Sequence, residues 1–170
     1  MSLVRFKARN HPQQATRDDV DDRRTLPEHF DPLHALYGFT ADVAASAENA
    51  KLPRYFTREA DGLAQSWAGE RVWCNPPFSN LDPWLVKAWL EVRTNDCPLV
   101  VMLLPANRCE QGFWQRHVEP YRDGGTFYGV RLRVKFLPGR MRFGWDASRI
   151  RPVKGDRPPF GCCLAIWERG

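Results

Sequence analysis

Residues 71–78 read Arg71-Val72-Trp73-Cys74-Asn75-Pro76-Pro77-Phe78, and this run decides the fold class. Its first half is apolar and β-prone, so Arg71 to Cys74 reads as a strand. Two adjacent prolines forbid a helix or a ladder position, so Asn75 to Phe78 is a stiff loop leaving the strand's C-terminal end. Ser79-Asn80-Leu81-Asp82 then opens a helix, with Pro83 in its first turn and Trp84, Leu85, Ala88, Trp89 and Val92 on its apolar face. Pro98 to Leu104 follows as a buried strand that Pro105 stops. Strand, helix and buried strand in that order predict an α/β sheet.

Working outward, Phe39 to Val43 is a second short buried strand. The small-residue bend Ala44-Ala45-Ser46-Ala47 follows it, and Arg54 to Thr57 is a candidate for another strand. Upstream, Thr25 is placed to cap a helix with Pro27 early in it and Glu28 three residues after the cap. Phe30, Leu33, Leu36 and Tyr37 recur at helical spacing, and Gly38 ends the element. Downstream, Phe113, Trp114, His117 and Val118 mark a further amphipathic helix. Val130, Leu132 and Val134 alternate with Arg131, Arg133 and Lys135. Pro138-Gly139 supplies a turn, Met141-Arg142-Phe143 returns, and Gly161 to Trp167 is a last strand. The expected fold is α/β: a mostly parallel sheet with an antiparallel C-terminal hairpin edge, in one domain over residues 25–170. A polar segment, residues 1–24, precedes it as a mobile arm. Ligands of such sheets bind beyond the C-terminal ends of the strands, where both Asp42-Val43-Ala44 and Asn75 to Phe78 fall.

The chain has 170 residues and a net charge of +5. Between Arg131 and Arg157 nine basic residues face two acids, so that segment carries +7 and the rest −2. A basic charge gathered in one segment suits a polyanion partner, or a solvated surface stretch. The longest apolar run, Leu99 to Leu104, is far short of the roughly 18–20 residues of a membrane span. No basic-then-apolar signal segment opens the chain, and the cytoplasm is the expected location. Five cysteines without C-x-x-C spacing read as reduced, mostly buried thiols. Neither they nor His11, His29, His34 and His117 have metal-ligand spacing, so no metal is expected.

The tetrapeptide has a chemistry of its own. Asn75 offers a carboxamide oxygen, and Pro76 a carbonyl that its neighbours hold rigidly. Phe78 offers an aromatic face. Two fixed acceptors beside such a plate can take both protons of an exocyclic amino group on a flat heterocycle. The nitrogen lone pair, otherwise delocalised into the ring, then turns outward toward an electrophile held about 3–3.5 Å away. This is the pattern of amino-group methyltransferases, which carry Asn, Asp or Ser, then Pro-Pro, then an aromatic residue. The plain alternative is a proline-rich loop that ends in a core Phe.

Several flanking runs add to the tetrapeptide. They are Thr25-Leu26-Pro27-Glu28-His29-Phe30-Asp31, Gly38-Phe39-Thr40-Ala41-Asp42-Val43-Ala44-Ala45-Ser46-Ala47-Glu48-Asn49, Pro53-Arg54-Tyr55-Phe56-Thr57, Asp61-Gly62-Leu63 and Trp67, with Trp84 and Lys87-Ala88 beyond. Together the chain resembles the phage-encoded DNA N6-adenine methyltransferase family, the Dam-like phage family, over about residues 25–145. The resemblance implies a Rossmann-like fold that takes its methyl group from S-adenosylmethionine, with double-stranded DNA as partner. It implies that Asn75, Pro76, Pro77 and Phe78 form the catalytic loop. Asp42 and Ala44 match the cofactor loop, and Thr25 and Pro27 an element that packs near the cofactor. Asp61 is a further candidate cofactor ligand, and also an ordinary turn residue before Gly62. The sequence departs from the pattern twice: Ala44-Ala45 replace the glycines of many cofactor loops, and Phe78 stands where Tyr is commoner. Arg131, Arg133, Lys135, Arg140 and Arg142 become candidate DNA contacts. Two other functions fit the same residues, a binding module without activity and a methyltransferase that acts on RNA.

Overall fold

A computed structural model describes residues 21, 24–144, 158 and 160–170 of the chain. Its main sheet has six strands: β2 (Ala41–Asp42), β3 (Arg71–Cys74), β4 (Leu99–Pro105), β5 (Thr126–Phe127), β6 (Val130–Phe136) and β8 (Cys162–Arg169). Their spatial order is β2-β3-β4-β8-β6-β5. A separate two-stranded ribbon joins β1 (Arg24–Thr25) to β7 (Phe143–Gly144). Among the described residues three helices accompany the sheet: α1 (Pro27–Tyr37), α2 (Asp82–Thr94) and α3 (Gly112–His117). The molecule is thus mixed α/β.

The strand β3 and the helix and strand after it lie where the apolar pattern puts them. All seven residues of β4 are buried, as a continuous apolar run requires of a central strand. The β2–β3 and β3–β4 pairs are parallel, with Asp42 opposite Trp73 and Cys74 opposite Met102. Arg54 to Thr57 forms no strand, only an isolated parallel bridge between Tyr55 and Asp42. Gly38 closes α1 in the left-handed conformation, φ 60° and ψ 51°, donating its N–H to the His34 carbonyl.

The C-terminal edge corrects the expected topology. Met141 to Phe143 does not return beside β6 as a hairpin. Instead β8 lies antiparallel between β4 and β6, and Phe143 pairs with Thr25 in the ribbon. The sheet is therefore not mostly parallel: two of its five pairings are parallel and three antiparallel. The reason is burial. Cys162 to Trp167 is apolar throughout and buried throughout, so it takes a central place, while half-polar β6 moves outward. Thr25 is likewise no helix cap. The N-cap is Leu26, without a side-chain bond, because Thr25 is already committed to the ribbon. Arg24, placed at the end of the arm by sequence, is the first residue of β1.

Helices cover both faces of the sheet. The register puts Trp167 level with Val100 and Val72, on the opposite face from Trp73. Trp89 of α2 meets Trp167 edge to face at 6.3 Å, and Phe30 of α1 meets Trp73 at 5.5 Å. The described cysteines are all free thiols, four of them buried. Among the described residues no helix is long and apolar enough to cross a membrane.

Candidate active site

The C-terminal ends of β2 and β3 open on one polar cleft. Asp42, Ala44, Thr25 and Asn75 line it, four of the residues singled out in the sequence. Asp21, Arg24, Asn49, Lys51 and Trp73 complete the lining, and sequence reasoning had singled out none of these for the site. Pro27 sits in the first turn of α1 and does not line the cleft. Asp61 does not line it either: at φ 50° it forms a turn, its carboxylate accepting the Leu63 N–H at 3.1 Å.

Asp42 is the electrostatic centre of the cleft. It is 3% exposed, and its carboxylate accepts the backbone N–H groups of Lys51 at 3.1 Å and Ala44 at 3.5 Å. Burial pushes its pKa up from 3.8 to about 6, partly offset by those two hydrogen bonds and by the Lys51 charge. Burial likewise lowers the Lys51 pKa, against the attraction of Asp42. The same two hydrogen bonds pin both ends of loop 43–51. Inside it the Ser46 N–H meets the Asn49 side chain at 2.7 Å, and the Ala45 N–H meets the Phe56 carbonyl at 3.0 Å. A loop without glycines is thus held by side-chain and long-range bonds.

One glycine does matter behind the loop. A Cβ on Gly62 would stand 2.0 Å from the Val43 carbonyl oxygen, so only glycine fits there. The Gly62 carbonyl accepts the Trp67 indole N–H at 2.9 Å, and Trp67 stacks on Trp84 at 6.5 Å. Buried Glu91 accepts the Trp67 backbone N–H at 2.9 Å and pairs with Lys87 at 2.5 Å. Trp84 is therefore core that backs the loop.

Asn75 is half-buried, at the junction of β3 and the cleft. Downstream of it the Pro77 carbonyl accepts the Asn80 N–H at 3.2 Å, and the Phe78 carbonyl accepts Arg108 at 2.6 Å. Among the described residues no hydrogen bond reaches the Pro76 carbonyl. The Phe78 ring is 5% exposed, lying 6.4 Å from Phe143 and 6.2 Å from Phe160. The aromatic plate is at present packed into protein.

Among the described residues, the Thr25 hydroxyl and the Arg24 Nε of the cleft are buried without a hydrogen-bond partner. Thr25 is 1% exposed. Each such group costs about 1–3 kcal/mol when left unpaired, so a ligand that satisfies both is favoured. Two acids, Asp21 and Asp42, and two bases, Arg24 and Lys51, suit a ligand that itself carries both signs.

The basic residues from Lys135 onward reach the same rim, whereas Arg131 is at the other end of β6, level with Leu99 and Arg71. Phe136 ends β6 opposite Cys163, and Cys163 lies opposite Leu104 near the end of β4, so β6 points its C-terminus the same way as β3 and β4. Arg140 and Arg142 are exposed on either side of buried Met141, and buried Phe143 carries that segment against Phe78. Arg131 and Lys135 are exposed on β6, but Arg133 is tied to Glu168 at 2.8 Å. Arg149, Arg151, Lys154 and Arg157 lie outside the described residues.

The profile of a family described as DNA N-6-adenine-methyltransferase (Dam) matches residues 13–143. The chain is 31% identical over 110 residues to a DNA N-6-adenine-methyltransferase of Escherichia phage T1, covering 64% of this chain and 44% of that protein. It is 31% identical over 75 residues to one of Haemophilus phage HP1, covering 44% and 43%. A solved structure assigned as an RNA methyltransferase, from Pyrococcus horikoshii, compares at TM-score 0.45 and 13% identity, over 89% of this chain and 77% of that one. The chain spans less than half the length of the two phage relatives.

Proposed function

Because the chain belongs to the DNA N-6-adenine-methyltransferase (Dam) family, we infer that it methylates the exocyclic N6 of an adenine flipped out of double-stranded DNA. The observation that carries this reading is the placement of Asn75 and Asp42. The first residue of the Asn-Pro-Pro-Phe loop and the acid that ends the neighbouring parallel strand line one cleft. The reading includes a Rossmann-like domain over residues 25–170, at work in the cytoplasm of a bacterial host.

S-adenosylmethionine, when bound, supplies a methyl group made electrophilic by its sulfonium. The cleft fits it. Its carboxylate needs cations, which Arg24 and Lys51 supply, and its ammonium and hydroxyls need acceptors, which Asp42 and Asp21 supply. Thr25 and the Arg24 Nε gain the partners they lack. Ala44 keeps the loop small enough for close approach.

Asn75 and the Pro76 carbonyl accept the two N6 hydrogens and hold the amino group with its lone pair turned out. The prolines hold these acceptors still, so orientation is met before the substrate arrives. Held this way, N6 would take the methyl group that S-adenosylmethionine would supply, with a thioether as the leaving group, and the surplus N6 proton would pass to solvent. Phe78 stacks on the adenine once its ring turns out of the Phe143 and Phe160 packing. Arg131, Lys135, Arg140 and Arg142 bind the phosphates.

The test is transfer of labelled methyl to DNA by the purified protein and by its Asn75→Ala variant. The account expects label with the native protein, at least about 10²-fold less with the variant, and DNA binding by both. A native protein that binds DNA yet neither binds the donor nor labels DNA is instead a binding module.

A further inference from the structure

Resting on that methyl-transfer reading, we propose that Arg108 and Asp21 are positioning residues that clamp the downstream end of the catalytic loop. They come from opposite sides of it. Arg108, half-buried in the turn after β4, donates its Nη1 to the Phe78 carbonyl at 2.6 Å. Asp21, upstream of the ribbon, accepts the Ser79 N–H on Oδ1 at 3.0 Å and the Ser79 hydroxyl on Oδ2. These are charge-assisted bonds, about twice as strong as neutral ones. With the Asn80 N–H on the Pro77 carbonyl, the carbonyls of Pro77 and Phe78 and the N–H and hydroxyl of Ser79 are all engaged.

The proline pair makes such a clamp effective at a distance. A flexible loop would absorb a shift at Phe78 and Ser79 by rotating in between. Pro76 and Pro77 have φ fixed by their rings, so fewer backbone torsions are left to absorb it. A displacement at the clamp therefore reaches Asn75 and the Pro76 carbonyl, the two acceptors for the amino group. Asp21 has a second place in this arrangement, since it lines the cleft as well. One carboxylate thus borders the donor's site and holds the peptide that follows the loop, so the two halves of the reaction share a strut.

The experiment is single-turnover methyl transfer to a DNA duplex, with donor and DNA affinities measured on the same proteins. Arg108→Met is expected to slow transfer about 10²-fold, while both affinities and the melting temperature stay near native. Arg108→Lys, which keeps a charged donor, should recover part of the rate. Asp21→Ala and Ser79→Ala should each slow transfer, and the double variant should be no slower than Asp21→Ala alone. If Arg108→Met transfers as fast as the native protein, or loses rate only in step with its folded fraction and with no rescue by Lys, the clamp is overturned. Additive losses in the Asp21 and Ser79 pair overturn its Asp21 half. A native protein that labels no DNA overturns the functional reading itself, and the clamp with it.

Discussion

At the scale of single residues, Asp42 has the most direct consequence. Its carboxyl titrates near 6 when folded and near 3.8 when free. A raised folded pKa means that its contribution to stability is complete below about pH 4 and is lost as pH rises through 6. The two-unit difference corresponds to about 3 kcal/mol. Unfolding measured from pH 4 to 7 should show this loss, and Asp42→Asn should flatten it. Donor binding should run the other way, because only ionised Asp42 offers acceptors alone. Calorimetric affinity for S-adenosylmethionine is therefore expected to weaken below about pH 6, and a pH-independent affinity would remove Asp42 from the donor site. Phe78 separates two roles in the same manner. Phe78→Ala should cost about 3–5 kcal/mol of stability, since its ring packs on Phe143 and Phe160. Phe78→Leu keeps most of that packing and loses stacking on the base, about 1–3 kcal/mol, read as lower activity at little change in melting temperature.

At the scale of elements, the cofactor loop depends on the turn behind it. Gly62→Ala would drive a Cβ into the Val43 carbonyl, and overpacking of this kind costs about 1–3 kcal/mol. The melting temperature and donor affinity should fall together, while DNA affinity stays. The elements also show what a sequence can and cannot carry. The run from β3 through α2 to β4 was legible because its signals are local: prolines at the boundaries, an apolar helical face and an unbroken apolar strand. The placement of Asn75 and Asp42 at one rim followed from the same logic. The partner of Met141 to Phe143 was not legible, because alternation tells which face a strand buries and never which strand it joins. Asp21, Arg24 and Arg108 reach the site from remote parts of the chain, with Asp21 and Arg108 bonding 58 and 30 residues away. Lys51 was within reach, as a cation a few residues past the bend that follows Asp42. The tie between Arg133 and Glu168 arises from a pairing of β6 with β8 that no local pattern announces.

At the scale of the whole molecule, the uneven charge acquires a geometry. The basic end of β6 and the turn after it stand at the rim that carries the tetrapeptide, so phosphate contacts and base chemistry share one side. Arg140→Ala with Arg142→Ala should reduce the slope of log affinity against log salt by about 2 on duplex DNA. Arg133→Ala should change it less, because Glu168 already occupies that guanidinium. An equal slope in the double variant would take this turn out of the interface. The central claim is transfer of methyl to adenine N6 in duplex DNA, and the most direct measurement is nucleoside mass spectrometry of DNA incubated with the protein and S-adenosylmethionine. The account expects N6-methyladenine with the native protein and its loss with Asn75→Ala. Methylation at another base or atom, methylation of RNA alone, or no methylation by a folded, donor-binding protein would contradict it.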